Sequence, residues 1–211
     1  MSETVCVLAI EDDENHAELL RECLSQIEST NVEFRHATDR QSASNELAAP
    51  DIDIVFLDYH LGAEDGLEIL REMRAKGDER PVIVLTGQGD EYVAVDMMRA
   101  GADDYIIKDD LGTDKVIAAL DRAIAKINSL AEYQEAVAGV NKRLNRLTAR
   151  EREVMDLVIE GQTTKEICQT LCRSESTIKI HRSRVMQKME ANTPADLARM
   201  VMSLRGANTT G

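Results

Sequence analysis

The chain has 211 residues, 43% of them hydrophobic, which is enough for one or two packed domains, and no apolar run approaches the roughly 20 residues that span a bilayer. Charge divides it: residues 1–126 hold 12 basic and 29 acidic side chains, a net of −17, whereas 127–211 hold 13 and 10, a net of +3. A membrane role is not expected, and only the second part can lie on nucleic acid without strong repulsion.

The first predicted strand is 5–10, VCVLAI, followed at once by Glu11, Asp12, Asp13 and Glu14. A helix follows, in which Ala17, Leu19, Leu20, Cys23, Leu24 and Ile27 recur at three- and four-residue steps. Residues 32–36 read as a short second strand and 42–47 as a helix before Pro50. The run 52–57, IDIVFL, ends abruptly on Asp58, as a strand buried on both faces of a parallel sheet would. Asp65 and Gly66 open a helix carrying Leu67, Ile69, Leu70 and Met73. After Gly77 and Pro81, residues 82–85 form a further apolar strand ending in Thr86 and Gly87. Residues 92–99 are helical, Gly101 stops them, and 105–107 make a last strand closing on Lys108. Five strands alternating with helices predict an α/β doubly wound, five-stranded parallel sheet with right-handed crossovers.

In such a sheet the carboxyl ends of the strands meet on one edge, which here collects Glu11, Asp12, Asp58, Thr86 and Lys108. Three adjacent carboxylates repel unless a cation joins them, and an all-oxygen cluster with room for water suits Mg²⁺. A metal-bound Asp58 can attack a phosphoryl group while Mg²⁺ and the Lys108 ammonium offset charge on its oxygens, and Thr86 can donate its hydroxyl to the transferred group. The competing reading is five unrelated loop residues. Tyr105 taken alone reads as core. His60, two positions past Asp58, is weaker evidence: a side chain there is able to influence attack by water on an acyl phosphate, but most exposed histidines do nothing.

With Glu11 and Asp12 after strand one, Asp58 after strand three, Thr86 after strand four, Tyr105 in strand five and Lys108 closing it, residues 4–126 resemble a response-regulator receiver domain. The resemblance implies a flavodoxin-like fold and transfer of a phosphoryl group from a histidine kinase to Asp58. It also implies a metal held by Asp12, Asp58 and the His60 backbone carbonyl, with Glu11 through water, and switching by Thr86 and Tyr105. Gly62 and Asp109 depart from the family, which commonly has proline at both places. The peptide after Lys108 is therefore expected to be trans and Lys108 less firmly aimed.

From Asp114 to about Leu147 the pattern stays helical, with Val116, Ala123, Leu130, Val137 and Leu144 recurring every seven residues and Leu120 and Ile127 between them. Two readings stay open: a dimeric coiled coil interrupted by Gln134, Gly139 and Asn141, or a last receiver helix followed by a flexible polar linker.

Thr148 to Glu151 is a capping-box start for a helix with Val154, Leu157 and Val158, and Thr163 to Glu166 repeats the signal for a short helix with Ile167 and Leu171. Cys172 and Arg173 turn, Ser174 caps, and a third helix runs over 175–189. This is a helix-turn-helix, whose second helix enters the major groove; a generic three-helix packing unit is the alternative. At about 100° per residue, Ile178, Val185 and Met189 face inward and Lys179, Ile180, Ser183 and Gln187 outward. Arg182, Arg184 and Lys188 flank that face, and Lys165 can reach phosphate. His181 is expected to pack or to touch phosphate.

Residues 147–189, which include Leu147, Thr148, Arg150, Glu151, Gly161, Lys165, Glu166, Thr177, Lys179, His181 and Lys188, resemble the LuxR-type helix-turn-helix of NarL/FixJ response regulators. The resemblance implies DNA contacts by Lys165, Thr177, Lys179, Ile180, Arg182, Ser183, Arg184 and Lys188, and a dimer contact by the helix over 194–204. Cys172 stands where glycine is common, and Cys168 with Cys172 is expected to be a buried inert pair rather than a redox site. With Cys6 and Cys23 these thiols form no disulfide framework, and no leader pattern begins the chain, so a reducing cytoplasm is expected.

The expected organisation is a receiver domain at 1–126, a helical connection at 127–146, an all-α helix-turn-helix domain at 147–205 and a tail at 206–211. The expected function is a DNA-binding transcriptional regulator activated by phosphorylation, not an enzyme beyond Mg²⁺-dependent self-phosphorylation. Its expected partners are a histidine kinase, double-stranded promoter DNA, a second copy when active, and RNA polymerase. The alternatives are a receiver that works by protein contact without phosphate and a phosphatase of haloacid dehalogenase type. The latter wants an aspartate where His60 stands.

Overall fold

The structure, a computed structural model, describes residues 4–27, 30–62, 64–87 and 91–207. The chain divides into two compact units, Met1–Ser129 and Leu130–Gly211. No helix among the described residues is long and apolar enough to cross a membrane.

The first unit contains β1 (Thr4–Ile10), α1 (Glu14–Ser25), β2 (Asn31–Ala37), α2 (Arg40–Leu47) and β3 (Ile54–Asp58). A two-residue pair, β4 (His60–Leu61) and β5 (Glu64–Asp65), comes next, then α3 (Gly66–Ala75), β6 (Val82–Thr86), α4 (Glu91–Arg99) and β7 (Asp104–Ile107). The helix α5 (Thr113–Asn145) follows. Five strands pair in parallel in the order β2-β1-β3-β6-β7, the doubly wound sheet expected. The antiparallel β4/β5 pair was not expected: four residues turning about Gly62 carry no apolar alternation to announce them.

Side chains alternate across a strand, so an unbroken apolar run feeds two cores. Val5, Val7 and Ala9 of β1 join Leu20 and Leu24 of α1 and Val116, Ala119, Leu120 and Ala123 of α5 on one face. Cys6, Leu8 and Ile10 join Ala43 of α2, Ile69, Leu70 and Met73 of α3 and Met97 of α4 on the other. Val116, Leu120 and Ala123 are thus core residues of this unit. As a correction to the heptad reading, they are not available to a second helix.

The second unit contains the later part of α5, then α6 (Ala149–Ile159), α7 (Thr164–Leu171), α8 (Glu175–Met189) and α9 (Pro194–Ala207). Both expected capping boxes form, at Thr148 with Glu151 and at Thr163 with Glu166. Val154, Val158, Ile167, Ile178, Val185, Met189, Leu197 and Val201 make its core, and Val140 and Leu147 join them. The tail expected from 206 is helical to Ala207, and from 208 it lies outside the described residues.

Cys172 closes α7 in the left-handed region, φ 50°, where glycine would be unstrained, and this ends the helix before the turn into α8. The pair expected to be buried is not. Cys172 is exposed and Cys168 half-buried, because the left-handed residue leaves the helical path that would have stacked the two side chains.

Candidate functional site

Strand register places the ends of four strands side by side. Ile10 pairs with Leu57, so Glu11 follows β1 beside Asp58 at the end of β3. Asp58 pairs with Leu85, one residue before Thr86, and Thr86 pairs with Ile107, one residue before Lys108. This edge lies at the β1/β3 junction, where the strand order reverses and the crossover helices leave to opposite faces. Gly66 lets the chain pass close behind Asp58: a Cβ there would stand 2.1 Å from the Asp58 carbonyl oxygen.

Glu11 and Asp58 are buried, at 0% and 2% exposure, Thr86 is buried, and Asp12 is exposed. One carboxylate oxygen from each of Glu11, Asp12 and Asp58 lies within 4.8 Å of the others. Lys108 Nζ donates to Glu11 Oε1 at 2.9 Å and stands 2.8 Å from both Glu11 Oε2 and Asp58 Oδ2. Those last two contacts are ionic rather than well-directed hydrogen bonds, and both oxygens keep unpaired acceptor capacity in a buried place. The His60 N–H donates to Asp58 Oδ1 at 3.2 Å. Burial pushes the Glu11 carboxyl up, against the Lys108 hydrogen bond that pulls it down. For Lys108 burial works to lower the ammonium, and its bonds to Asp58 and Glu11 outweigh burial and raise it.

Two buried carboxylate oxygens that accept no well-directed hydrogen bond, beside an exposed third carboxylate, fit a hard divalent cation with part of its water shell retained. Glu11, Asp12, Asp58 and Lys108 are therefore together, as expected, with Thr86 on the adjoining strand end. The peptide after Lys108, expected to be trans, is so with all described peptide bonds, and the Lys108 side chain is 13% exposed and stands between two carboxylates. Tyr105 is 47% exposed on the edge strand β7, which removes the core reading. Sequence reasoning missed two histidines. His36 Nε2 is 2.8 Å from the Glu11 carbonyl oxygen, and His16 Nδ1 is 3.4 Å from Lys108 Nζ.

In the second unit α8 presents two faces. Ile178, Val185 and Met189 are buried; Lys179, Ile180, Ser183, Arg184 and Gln187 are exposed, Ile180 at 52%. Lys165 on α7 is exposed and has no ion pair among the described residues. Lys179 pairs with Glu175 at 2.6 Å, and Thr177 Oγ1 shares a hydrogen bond with the capping Ser174 hydroxyl. Arg182 is half-buried and donates to the Gln162 carbonyl at 3.4 Å, and His181 is half-buried too.

Lys188 departs from the outward role expected of it. Its Nζ donates to the buried Glu151 Oε2 at 2.6 Å and to the Arg146 carbonyl at 3.0 Å, because α6 crosses α8 there and Glu151 needs a counter-charge. Glu151 also accepts from the Thr148 N–H, and its carboxyl is lowered to about 2 by the Lys188 hydrogen bond first and this cap second.

Comparison with known proteins agrees with both halves. The response regulator receiver domain family matches residues 7–121, and the luxR family of bacterial regulatory proteins matches 145–201. The chain belongs to the response regulators, and it is a transcriptional regulator that joins a receiver to a LuxR-type DNA-binding domain. Among its relatives, the transcriptional regulatory protein FixJ of Azorhizobium caulinodans is 31% identical over 96% of this chain and 94% of its own. Of solved structures, the response regulator StyR superposes with a TM-score of 0.73 at 26% identity, covering 95% of this chain and 99% of that one. Full-length FixJ from B. japonicum superposes at 0.59 and 28% identity, covering 97% and 98%.

Proposed function

We propose that Asp58 is the phosphoacceptor and that its modification controls DNA binding by the second unit. A carboxylate oxygen of Asp58 attacks the phosphorus of a phosphohistidine on a histidine kinase. The new P–O bond forms as the P–N bond breaks, and the departing imidazole nitrogen keeps the electron pair. Lys108 offsets charge on the transferring oxygens, Thr86 donates its hydroxyl to the transferred group, and Tyr105 reorients with it. Asp12, Asp58 and the His60 carbonyl, with Glu11 through water, would hold Mg²⁺, which supplies further neutralisation of phosphoryl charge. The observation that carries this reading is the buried, donor-poor pair of Asp58 and Glu11 oxygens facing one lysine.

Residues 1–126 act as the receiver, 127–146 as the helical connection and 147–205 as the DNA-binding domain. The face made by Lys179, Ile180, Ser183 and Gln187 reads base edges, and Lys165, Arg182 and Arg184 with Thr177 contact backbone. The active form is a cytoplasmic dimer on promoter DNA, where RNA polymerase is a further partner.

Incubation of the intact chain with Mg²⁺ and acetyl phosphate, followed by intact-mass measurement and DNA titration, tests this. The expected result is one phosphoryl group per chain, lost in Asp58→Asn, together with tighter operator binding only where the group is present. An adduct that leaves DNA affinity unchanged, or no adduct at all, overturns it.

A further inference from the structure

Three of the four histidines of the chain, His16, His36 and His60, lie on the acidic edge of the first unit, and one of them touches the lysine. His16 is the third residue of α1, whose start is set by Asp13: its carboxylate accepts from the Asn15 N–H at 2.8 Å. From there His16 Nδ1 reaches to 3.4 Å from Lys108 Nζ, 3.6 Å from Glu11 Oε1 and 3.7 Å from Asp13 Oδ2. An ammonium has three N–H donors and no acceptor, so attraction between Nζ and Nδ1 requires the ring nitrogen lone pair, with the ring proton on Nε2.

We propose that His16 is a positioning residue for Lys108. Its Nδ1 is the one ring nitrogen that meets the ammonium among the described residues, and it approaches from α1, whereas the carboxylates approach from the ends of β1 and β3. The three carboxylate oxygens that Nζ meets, two of Glu11 and one of Asp58, all lie on the side of β1 and β3. An acceptor on the α1 side fixes the direction of a second N–H and so fixes where Nζ stands. The inference rests on the assignment of Asp58 as phosphoacceptor: a lysine held in place before the phosphoryl group arrives stabilises its developing charge without first having to be ordered.

The test compares the intact wild-type chain with His16→Ala and His16→Asn; the Asn side-chain oxygen stands near the place of Nδ1. In acetyl phosphate with Mg²⁺, His16→Ala is expected to acquire its phosphoryl group about three- to tenfold more slowly at saturating donor, the half-saturating donor concentration staying the same, and His16→Asn to recover most of the rate. In a Lys108→Ala background His16→Ala is expected to change nothing further, since the residue acts through the lysine. A second readout needs neither metal nor phosphodonor: acylation of Lys108 by a small amine-reactive anhydride, which releases its carboxylate, followed by peptide mass spectrometry, rises in His16→Ala and falls back in His16→Asn.

If wild type and His16→Ala are phosphorylated equally fast, or if His16→Asn is as slow as His16→Ala, the positioning role is overturned while Asp58 stands. Absence of any adduct on wild type overturns the phosphoacceptor reading, and this inference with it.

Discussion

Glu151 occupies the one buried acidic position in the second unit among the described residues, and two donors keep it ionised: Lys188 Nζ at 2.6 Å and the Thr148 N–H at 2.8 Å. Its folded carboxyl titrates at about 2, well below the ordinary 4.5. A depressed carboxylate contributes stability that is fully present above about pH 4.5 and lost as pH falls towards 2, where folded and unfolded forms are both protonated. Glu151→Gln keeps an acceptor for the cap and loses the charge pair, an expected cost of about 1–3 kcal/mol. Glu151→Ala also strands Lys188 and is expected to cost about 3–5 kcal/mol. Hydrogen exchange of α6 and α8 amides in the intact chain measures both, and in Glu151→Gln the change in protection between pH 4.5 and 2 should shrink. Lys188 had looked like a DNA contact because helical spacing shows the side of α8 on which it stands. Spacing does not show that a carboxylate 37 residues earlier lies against that side. His16 escaped notice for the same reason, being 92 residues from the lysine it meets.

At the scale of elements, the strands were legible because each of these apolar runs stops on a polar residue: Glu11, Asp58, Thr86 and Lys108 all stand where a run ends. Helix α5 was harder. Its seven-residue repeat runs through Val116, Leu120 and Ala123, which belong to the core of the first unit, and on to Leu144, which packs on the core of the second. A heptad pattern cannot distinguish a helix that pairs with a copy of itself from one that serves two cores in turn, since both need an apolar stripe. Leu130 and Val137 are half-buried and belong to neither core, so any pairing between chains along α5 is confined to them and their neighbours. Leu120→Ala, at a fully buried site, is expected to lower the stability of the first unit by about 2–5 kcal/mol. Leu130→Ala is expected to cost about 1 kcal/mol or less in the unphosphorylated chain. Denaturant unfolding followed by circular dichroism separates the two, and equal losses would place Leu130 in a packed core.

At the scale of the whole molecule, charge poses a problem that the proposed activation must solve. Residues 1–126 carry a net of −17, and a phosphoryl group adds roughly −1.5 to −2 more. Electrostatics alone therefore predicts that phosphorylation weakens binding to DNA. A gain in affinity has to come from a change in assembly or in the population of a binding-competent form, each acting through contacts that the unmodified chain does not make. Salt dependence distinguishes these two routes. Each neutralised phosphate contributes about −0.9 to the slope of log affinity against log salt. Pairing of two chains on one operator doubles the number of basic residues at the backbone and so should about double the slope. A population shift within one chain raises affinity at every salt concentration by the same factor and leaves the slope alone. Anisotropy titrations of the full chain, with and without acetyl phosphate, are expected to show the steeper slope on phosphorylation. Lys165→Ala and Arg184→Ala, both exposed and without ion pairs among the described residues, should each reduce it by about 1 per chain. Lys188→Ala should leave the slope unchanged and lower stability instead, because that ammonium is already committed to Glu151.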